Sequence, residues 1–561
     1  MRNIVVVEAI STGYNFVDDI VKRGYNPIVL QDYRFTDLVK EERRDSYSRF
    51  HHQPEIIQAL EDYDKTLELV RSYDPLLVIP GGEDGVVLAT RLADDLGLPG
   101  NPYSNIDAMT KKSGMHESLR KAGIRYIRGK VVSTPDEAVS FCVENGLKTA
   151  VIKPLRSAAS QGLFLCDNLD EVRTAAETIV TWTDIFGCPI DSFLVQERIY
   201  GEEYIVNTIS CNGTHRFNSM MRYTKVQTDE GGYIYDSIEV VSKLEPGHTA
   251  LIEYAYKVAD AIGIKYGVVH GEYMIDDNGP VLIEVNCRPM GCSMSDEYLD
   301  LIYGQHESDA ALDSYLDPEG FSIAAAKPYK PLRKGVLKLI MVPHDLEAED
   351  NPILTVAKQL RSTYRVSAQS GTSVQYIKTR DLESAGGIVY MVHDDENVVN
   401  SDLALLKKIE KSYFSLLLND GMSRRWFTDA GTEETDPSVI MKDCGCHGST
   451  LLVSDKERSI EGIRCAVKDD IDDVYKGYDN VIISLRDSLL SLKESECLDL
   501  IFRIMDKVKP GGRVIIPGST YDYMSYQREG AEMLMEIKGL EICAPTASLH
   551  DYVIGYASLN K

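Results

Sequence analysis

The segment His270–Pro289, HGEYMIDDNGPVLIEVNCRP, constrains the fold of this chain more than any other. Two β-rich runs flank the turn residues Asp276–Gly279, which is the pattern of a β-hairpin. A hairpin centred on Asn278 places Glu272 directly across from Glu284. Opposed side chains have Cβ atoms about 5 Å apart, so two carboxylates in these positions repel each other unless something neutralises them.

A divalent cation would neutralise this pair of carboxylates. Asn286 lies on the same face as Glu284 by the two-residue period of a strand, and its amide adds an oxygen ligand suited to Mg²⁺, or to Mn²⁺ as an alternative. The same register places Met274 across from Leu282. The competing interpretation is that both carboxylates point into solvent, but Glu284 stands in an otherwise apolar strand, where it needs a partner. We therefore predict a metal site at Glu272, Glu284 and Asn286.

An anion site is indicated further upstream. Lys153 follows the apolar run Ala150-Val151-Ile152, where a buried cation needs a partner such as phosphate. The small-residue loop Ser157–Gly162 could bring backbone N–H groups close to phosphate oxygens, although most such loops are plain hairpin turns. The first 430 residues contain no GxxxxGK[ST] segment and no GxGxxG after a strand, which argues against a P-loop or a dinucleotide site.

The first hundred residues alternate between strand-like and helix-like patterns, which predicts a doubly wound parallel sheet. The predicted elements are strand Asn3–Val7, helix Phe16–Arg23, strand Pro27–Leu30, helix Ile56–Ser72 and strand Leu76–Ile79. The loop Pro80–Gly85, which contains Glu83, follows the last strand. Loops in this position often meet ligand, but a plain strand-to-helix turn explains the loop about as well.

The rest of the chain divides into further domains, as its length requires. We predict a helix over Ala108–Ala122 that opens a small β-rich lobe, and then a large lobe of mainly antiparallel strands with a helix over Leu251–Ile262. The predicted boundaries are 1–108 for the N-terminal α/β domain, 109–200 and 201–427 for the two lobes, 428–440 for a linker and 441–561 for a C-terminal domain. The fold class is thus a multidomain combination of α/β and α+β.

Composition excludes several classes of partner. Lys+Arg 60 against Asp+Glu 87 gives a net charge of −27, and so acidic a surface repels nucleic acids and anionic lipids. The N-terminal apolar run is shorter than a signal peptide or a membrane span, so we expect neither export nor membrane association. The cysteines lack the spacing of a disulfide framework, which favours reduced thiols in the cytoplasm. Cys444-Gly445-Cys446-His447 could hold a metal, but a glycine-rich turn explains it better.

The order of these features resembles the ATP-grasp superfamily, through TKKSGM, VIKP, the SAASQG loop, QERIYGEE, HGEY and EVNCR. The resemblance implies that ATP and Mg²⁺ are the cofactors and that the chain has an ATP-grasp fold. It also implies roles for individual residues. Lys112 and Lys153 would contact the ATP phosphates, with Ser157, Ser160 and Gly162 in the loop that covers them, Gln196, Glu197 and Ile199 would hold adenine, Glu203 would bind ribose, and Arg288 would stabilise the γ-phosphate and an acyl phosphate.

Within that superfamily, Met221–Val241 and the segment around Met290 are similar to the bacterial L-amino-acid ligases that make dipeptides. This resemblance implies a carboxylate–amine ligase that forms an amide through an acyl phosphate, releases ADP and phosphate, and commonly dimerises. It implies substrate contacts at Arg222, Tyr223, Tyr235, Met290 and Gly291, and Glu83 in the loop Pro80–Gly85 is a further candidate contact. The alternatives are an ATP-grasp carboxylase or formate-dependent ligase, and a nucleotide-binding scaffold without catalysis.

The C-terminal segment Tyr478–Tyr521 resembles the second half of a class I methyltransferase, whose strand, helix, K-P-G-G turn and strand follow in this order. Asp443–Ser449 resembles that family's glycine-rich cofactor loop only loosely, because the strand-like Leu451-Leu452-Val453 follows it at once. The favoured interpretation is a degenerate, non-catalytic Rossmann-like domain, and an active methyltransferase is the minority alternative.

Overall fold

The computed structural model describes most of the 561 residues. The described residues are 2–32, 43–155, 163–183, 189–227, 233–343, 345–347, 352–368, 375–380, 384–420, 436–444, 446–455, 458–460, 463–485, 494–517, 532, 534–542 and 552–557. They fall into two compact units, 1–336 and 337–561. The predicted finer boundaries remain proposals.

The N-terminal part of the first unit is a four-stranded parallel sheet, as predicted. Its strands, in spatial order, are Glu55–Gln58, Asn26–Gln31, Asn3–Val7 and Pro75–Pro80. The central strand Asn3–Val7 is almost completely buried because helices cover both faces of a doubly wound sheet. The helices here are Asn15–Lys22, Tyr63–Ser72 and Val86–Asp95.

Two helix predictions in this region were wrong. The predicted helix Ile56–Ser72 is a strand followed by a helix that begins at Tyr63, because the Asp62 carboxylate accepts the N–H groups of Asp64 and Lys65 and so caps a new N-terminus. The predicted helix Ala108–Ala122 is divided in two, Ile106–Thr110 and Lys112–Lys121. The break is at Lys111, whose backbone is extended with φ −113° and ψ 124°.

The small lobe is a four-stranded antiparallel sheet flanked by two helices. Its strands, in order, are Gly129–Val132, Phe193–Glu197, Ala150–Pro154 and Phe164–Cys166. The helices Pro135–Glu144 and Leu169–Ile179 begin at the caps Thr134 and Asn168 and pack their apolar faces on the sheet.

The large-lobe sheet of the first unit is antiparallel and has one face against helix Pro246–Ile262. Its strands, in order, are Gly279–Asn286, Gly267–Asp276, Glu202–Cys211, Thr214–Gln227 and Tyr233–Val240. The helix begins five residues before the predicted Leu251, because Pro246 suits a first helical position and Glu245 and His248 form a capping box. The lobe is less dominated by strands than predicted, since three more helices follow, Asp296–Tyr303, Glu307–Leu316 and Pro318–Ala325.

The second unit contains a six-stranded sheet that is partly parallel. Its strands, in order, are Ile463–Val467, Thr450–Ser454, Tyr478–Ser484, Val508–Pro517, Tyr552–Ala557 and Leu540–Ile542, of which the last two run antiparallel to their neighbours. Further elements are the strand pairs Thr363–Ser367 with Ile388–His393 and Leu346–Glu347 with Gln375–Tyr376, and the helices Pro352–Ala357, Glu396–Asp420, Pro437–Asp443 and Glu494–Met505. The strand Lys334–Leu339 spans the boundary between the units.

The glycine-containing segment Asp443–Ser449 lies at the amino end of strand Thr450–Ser454. In open α/β sheets, ligands bind beyond the carboxyl ends of the strands. The comparison with a cofactor loop was therefore wrong for this segment. The residues that do follow the strand begin Asp455-Lys456-Glu457 and contain no glycine before Gly462.

Candidate active site

The two faces of the large-lobe sheet have different compositions. Tyr204, Val206 and Tyr273 point to one face, where they form the core with helix Pro246–Ile262. Residues paired across antiparallel strands share a face, so the opposite face can be read from the register. It carries Glu203, Ile205, Asn207, Ser219, Met221, Tyr223, Lys225, His270, Glu272, Glu284 and Asn286.

The hairpin pairs Glu272 with Glu284, as predicted, but by a different route. The turn is one residue tighter than expected, so Met274 lies across from Val281 and not from Leu282. A register shift between Glu272 and Tyr273 then brings Glu284 across from Glu272, while Tyr273 lies across from Leu282. Such a bulge inserts one unpaired residue and is common next to active sites. Without it, Glu284 would point to the core face.

Glu272 is held by two neighbours on its own face. The Tyr223 hydroxyl donates to Glu272 Oε1 at 3.0 Å, and His270 Nε2 lies 3.6 Å from the same oxygen. Burial alone would raise the pKa of Glu272, but the interactions with His270, Lys225 and Tyr223 lower it to about 2. The carboxylate is therefore ionised and available as a ligand.

The Glu284 carboxylate forms an ion pair with Nζ of Lys112. Lys112 is the first residue of helix Lys112–Lys121. Asn286 makes no hydrogen bond with its side chain to any described residue. Two carboxylates and an amide oxygen on one sheet face are the donors that hard divalent cations prefer. These three residues fit Mg²⁺ or Mn²⁺.

Lys153 is buried in the small-lobe strand Ala150–Pro154, with 8% of its surface exposed. Among the residues that the structure describes, no acid or acceptor is bonded to its ammonium group. Burial and the nearby Lys112 lower the pKa of Lys153 to about 8. An unpaired buried cation fits an anionic ligand such as phosphate. The proposed phosphate-covering residues Ser157, Ser160 and Gly162 lie outside the described residues.

The segment between the two lobes carries the residues predicted to bind adenosine. Gln196 is buried, and its Nε2 has no hydrogen-bond partner within the described ranges. A buried amide donor without a partner fits an acceptor such as a purine nitrogen. Glu197 is engaged by Arg128 at 2.9 and 3.1 Å, Glu203 accepts from Lys225 at 2.5 Å, and Ile199 is half-buried in the connecting loop.

Arg288 and Glu83 meet where the N-terminal domain faces the large lobe. Arg288 Nε lies 3.2 Å from Glu83 Oε2, and its Nη1 donates to the Pro289 carbonyl at 2.9 Å. Glu83 stands at the carboxyl edge of the parallel sheet, in the predicted loop. Met290, two residues after Arg288, is buried, and Gly291 is half-buried. The structure thus brings these four predicted residues together.

The aromatic residues of the predicted substrate set also cluster. The rings of Tyr223 and Tyr235 lie 4.4 Å apart, and Lys225 Nζ lies 4.7 Å from the Tyr235 ring centroid. Arg222, by contrast, is separated from this cluster because it points to the opposite face of its strand. There it lies near Glu202 and Glu239, at 3.7 and 3.6 Å.

Sequence reasoning missed several residues on this face and beside it. His270 lies two residues before Glu272 in the same strand, so period-two counting could have found it. His116 lies one turn after Lys112 on its helix and is buried near the backbone of Ile283. Burial and the two lysines lower its pKa to about 3. Nothing in the local pattern indicated Asn207 or Glu307, which meet only in the folded chain.

Several known proteins are similar to this chain in sequence. Residues 148–297 match the ATP-grasp domain family. Dapdiamide A synthase from Enterobacter agglomerans is 24% identical over 421 residues, an alignment that covers 74% of this chain and 98% of that protein. The carbamoyl phosphate synthase large chain of Thermotoga petrophila is 27% identical over 282 residues, which cover 47% of this chain and 24% of that protein.

Among solved structures, the L-amino acid ligase from Bacillus licheniformis superposes with a TM-score of 0.56 at 16% identity, over 73% of this chain and 97% of that one. This likeness confirms the predicted ATP-grasp fold. The chain therefore contains an ATP-grasp domain and is homologous to dapdiamide A synthase.

Proposed function

We propose that this protein is an ATP-dependent ligase that joins the carboxylate of one amino acid to an amine through an acyl phosphate. The observation that carries the proposal is the opposition of Glu272 and Glu284 on one sheet face, with Asn286 beside them. Homology over nearly the full length of dapdiamide A synthase, and the fold shared with an L-amino acid ligase, support the same activity.

Each group has a role in phosphoryl transfer. Lys153 and Lys112 neutralise phosphate charge as the substrate carboxylate attacks the γ-phosphorus, and ADP leaves. Glu272, Glu284 and Asn286 would hold Mg²⁺, which supplies further charge neutralisation when bound. Lys112 would exchange its contact with Glu284 for phosphate. Gln196 would orient the purine through its free amide donor.

The second half of the reaction uses Arg288. The amine attacks the acyl carbonyl, and a tetrahedral intermediate forms that expels phosphate. The Arg288 guanidinium would stabilise the oxyanion after release from Glu83, whose carboxylate then becomes free to orient the incoming amine. Exclusion of water by the small lobe would protect the acyl phosphate from hydrolysis.

The pocket and the setting of the enzyme extend the proposal. Tyr223, Tyr235 and Met290 offer an adaptable, mostly apolar surface, so one substrate would be an apolar or aromatic amino acid.

The nine cysteines in the described residues are free thiols, which supports a cytoplasmic location. We also propose a homodimer. Among the described residues, no helix is long and apolar enough to cross a membrane.

The test is a screen of the purified protein with MgATP and all pairs of proteinogenic amino acids. Release of ADP and phosphate that depends on amino acids is expected, with an amide product for at least one pair. Hydroxylamine should trap the activated acid as a hydroxamate without any amine. Release of AMP and pyrophosphate would contradict the mechanism, and ADP release that depends on bicarbonate or formate would favour the carboxylase or formate-ligase alternative.

A further inference from the structure

A buried carboxylate outside the proposed catalytic steps lies behind the site. Glu307 begins helix Glu307–Leu316 and is 3% exposed. Its Oε2 accepts the backbone N–H of Met290 at 2.7 Å, and its Oε1 accepts from Asn207 Nδ2. Both oxygens therefore face donors, and each donor belongs to a different part of the site.

Both polar atoms of the Asn207 amide have hydrogen-bond partners. Its Nδ2 donates to Glu307 and also to Ser219 Oγ at 3.0 Å, so its Oδ1 is left to accept from His270 Nδ1 at 2.9 Å. A carboxylate can only accept hydrogen bonds, so Glu307 fixes the orientation of the Asn207 amide with Nδ2 toward Glu307. The amide in turn holds the His270 ring with Nε2 toward Glu272.

The other oxygen of Glu307 fixes the loop that follows Arg288. Met290 is tied to Glu307, while the Gly291 carbonyl accepts from Thr12 Oγ1 at 2.9 Å. Between these anchors and Met294, two non-glycine residues take the left-handed conformation, Cys292 at φ 68° and Ser293 at φ 47°. Such a conformation persists only where its surroundings determine it.

We propose that Glu307 is a positioning residue that sets the geometry of the metal-binding strand and of the substrate loop at the same time. Through Asn207 and His270 it orients Glu272, and through Met290 it orients the loop that follows Arg288. This role rests on the proposed function of Glu272 and Arg288. It depends on the donor and acceptor pattern around Glu307 and not on the volume of its side chain.

The polarity can be tested with isosteric substitutions. Glu307→Gln introduces an NH₂ group that must face either the Met290 N–H or the Asn207 NH₂, so one donor meets another or Asn207 turns over and loses its bond to His270. Asn207→Asp places a carboxylate against the Glu307 carboxylate. The double variant restores the bonds, because the new amide at position 307 can donate to the new carboxylate at position 207 while its oxygen accepts from Met290. That carboxylate still accepts from His270, and the Ser219 hydroxyl can turn to donate to it.

The readouts are Mn²⁺ affinity in the presence of ADP, measured by titration without turnover, and the separate values of kcat and the KM for ATP. Loss of a residue that orients a metal ligand typically costs about 10–100-fold in metal affinity or activity. We expect a loss of that size in Mn²⁺ affinity and in kcat for each single variant, a nearly unchanged KM for ATP, and recovery of most of both losses in the double variant. Glu319→Gln, an exposed acid on the next helix, is the matched control and should behave as wild type.

Glu307→Gln with wild-type Mn²⁺ affinity, or a double variant no better than the weaker single, would overturn the proposal. A fall in melting temperature with unchanged Mn²⁺ affinity would also overturn it, since it would assign Glu307 to packing. If no amino acid supports turnover by the wild type, the proposed ligase activity fails, whereas the Mn²⁺ comparison of the four proteins still decides the role of Glu307.

Discussion

Four polar side chains in the candidate site differ in the hydrogen-bond and ion-pair partners that the protein itself provides. Glu272 has hydrogen-bond donors on its own sheet face, Glu284 has one lysine, and Lys153 and Gln196 have no bonded partner among the described residues. Buried polar groups without partners are costly unless a ligand supplies them. These four residues are therefore the ones that we propose contact a nucleotide and its metal.

Glu284→Gln should abolish ADP formation while the protein stays folded. A neutral amide is a poor ligand for Mg²⁺, yet it removes the repulsion with Glu272. The measurements are ADP release with saturating Mg²⁺ and the melting temperature. Mg²⁺-dependent turnover at the wild-type rate would show that Glu284 is not a metal ligand.

Lys153→Met should raise the KM for ATP by at least about tenfold or eliminate turnover, because a charge-assisted bond to phosphate is worth roughly 1.5–3 kcal/mol. Methionine matches the apolar stem of lysine, so the small lobe should keep its stability. Calorimetric titration with ATP would measure the loss. Unchanged affinity would mean that another group holds the phosphates.

At the scale of elements, the N-terminal domain depends on close contact between two backbone segments. A Cβ added at Gly13 would lie 1.9 Å from the Gly81 carbonyl oxygen. Gly13 follows the first strand, and Gly81 follows the fourth, so the contact closes the carboxyl edge of the sheet beside Glu83. That edge presents Glu83 to the large lobe.

Gly13→Ala should therefore lower the melting temperature through a loss of about 1–3 kcal/mol, since the backbone at Gly81 must move. Gly247→Ala is the control, because Gly247 is exposed in the first turn of helix Pro246–Ile262 and the nearest atom to its added Cβ is Ile275 Cδ1 at 4.0 Å. It should stabilise by roughly 0.5–1 kcal/mol. Equal effects of the two substitutions would contradict the packing argument.

At the scale of the whole first unit, an ion cluster around the buried Asp19 and His306 links distant segments. His306 bonds to Asp19 and to Asp300, at 2.8 Å each, and Lys22 joins Asp19 to Asp296. Asp19, Asp296 and His306 also have the spacing of a cation site. Both ring nitrogens of His306 are already occupied by carboxylates, which makes an ion-pair network the better description.

This cluster should make stability fall with rising pH. Burial alone would lower the pKa of His306, but its bonds to Asp19 and Asp300 raise it from 6.5 to about 10. A group with a raised pKa stabilises fully below its unfolded value and loses that contribution as pH rises through the folded one. The urea midpoint should decline between pH 6.5 and 10 in the wild type, with a shallower slope in His306→Gln. Identical slopes would exclude His306 as the cause.

The second unit should not bind S-adenosylmethionine at micromolar concentration. The residues after strand Thr450–Ser454, where a cofactor loop would lie, are charged and lack the glycines that allow close backbone approach. Calorimetry is the measurement. A micromolar Kd would contradict the prediction and support the methyltransferase alternative.

The hairpin and its opposed carboxylates followed from local sequence, because a two-residue period and a turn signal are set by neighbours along the chain. The same local signal could not locate the bulge that keeps Glu284 on the face of Glu272, since a bulge depends on how a strand packs between its neighbours. The order of short motifs along the chain predicted the ATP-grasp fold. The same motifs contain Lys112 and Lys153, which were predicted to contact phosphate.

Tertiary structure alone brought Glu307 to Asn207 and Met290, and separated Arg222 from Tyr223 by strand alternation. Glu307 is 100 residues from Asn207, and no local period relates positions so far apart. Local sequence predicted which chemical groups the candidate site contains and on which elements they lie. Only the folded chain decided which of them meet, because long-range contacts arise when separate elements bury their faces against one another.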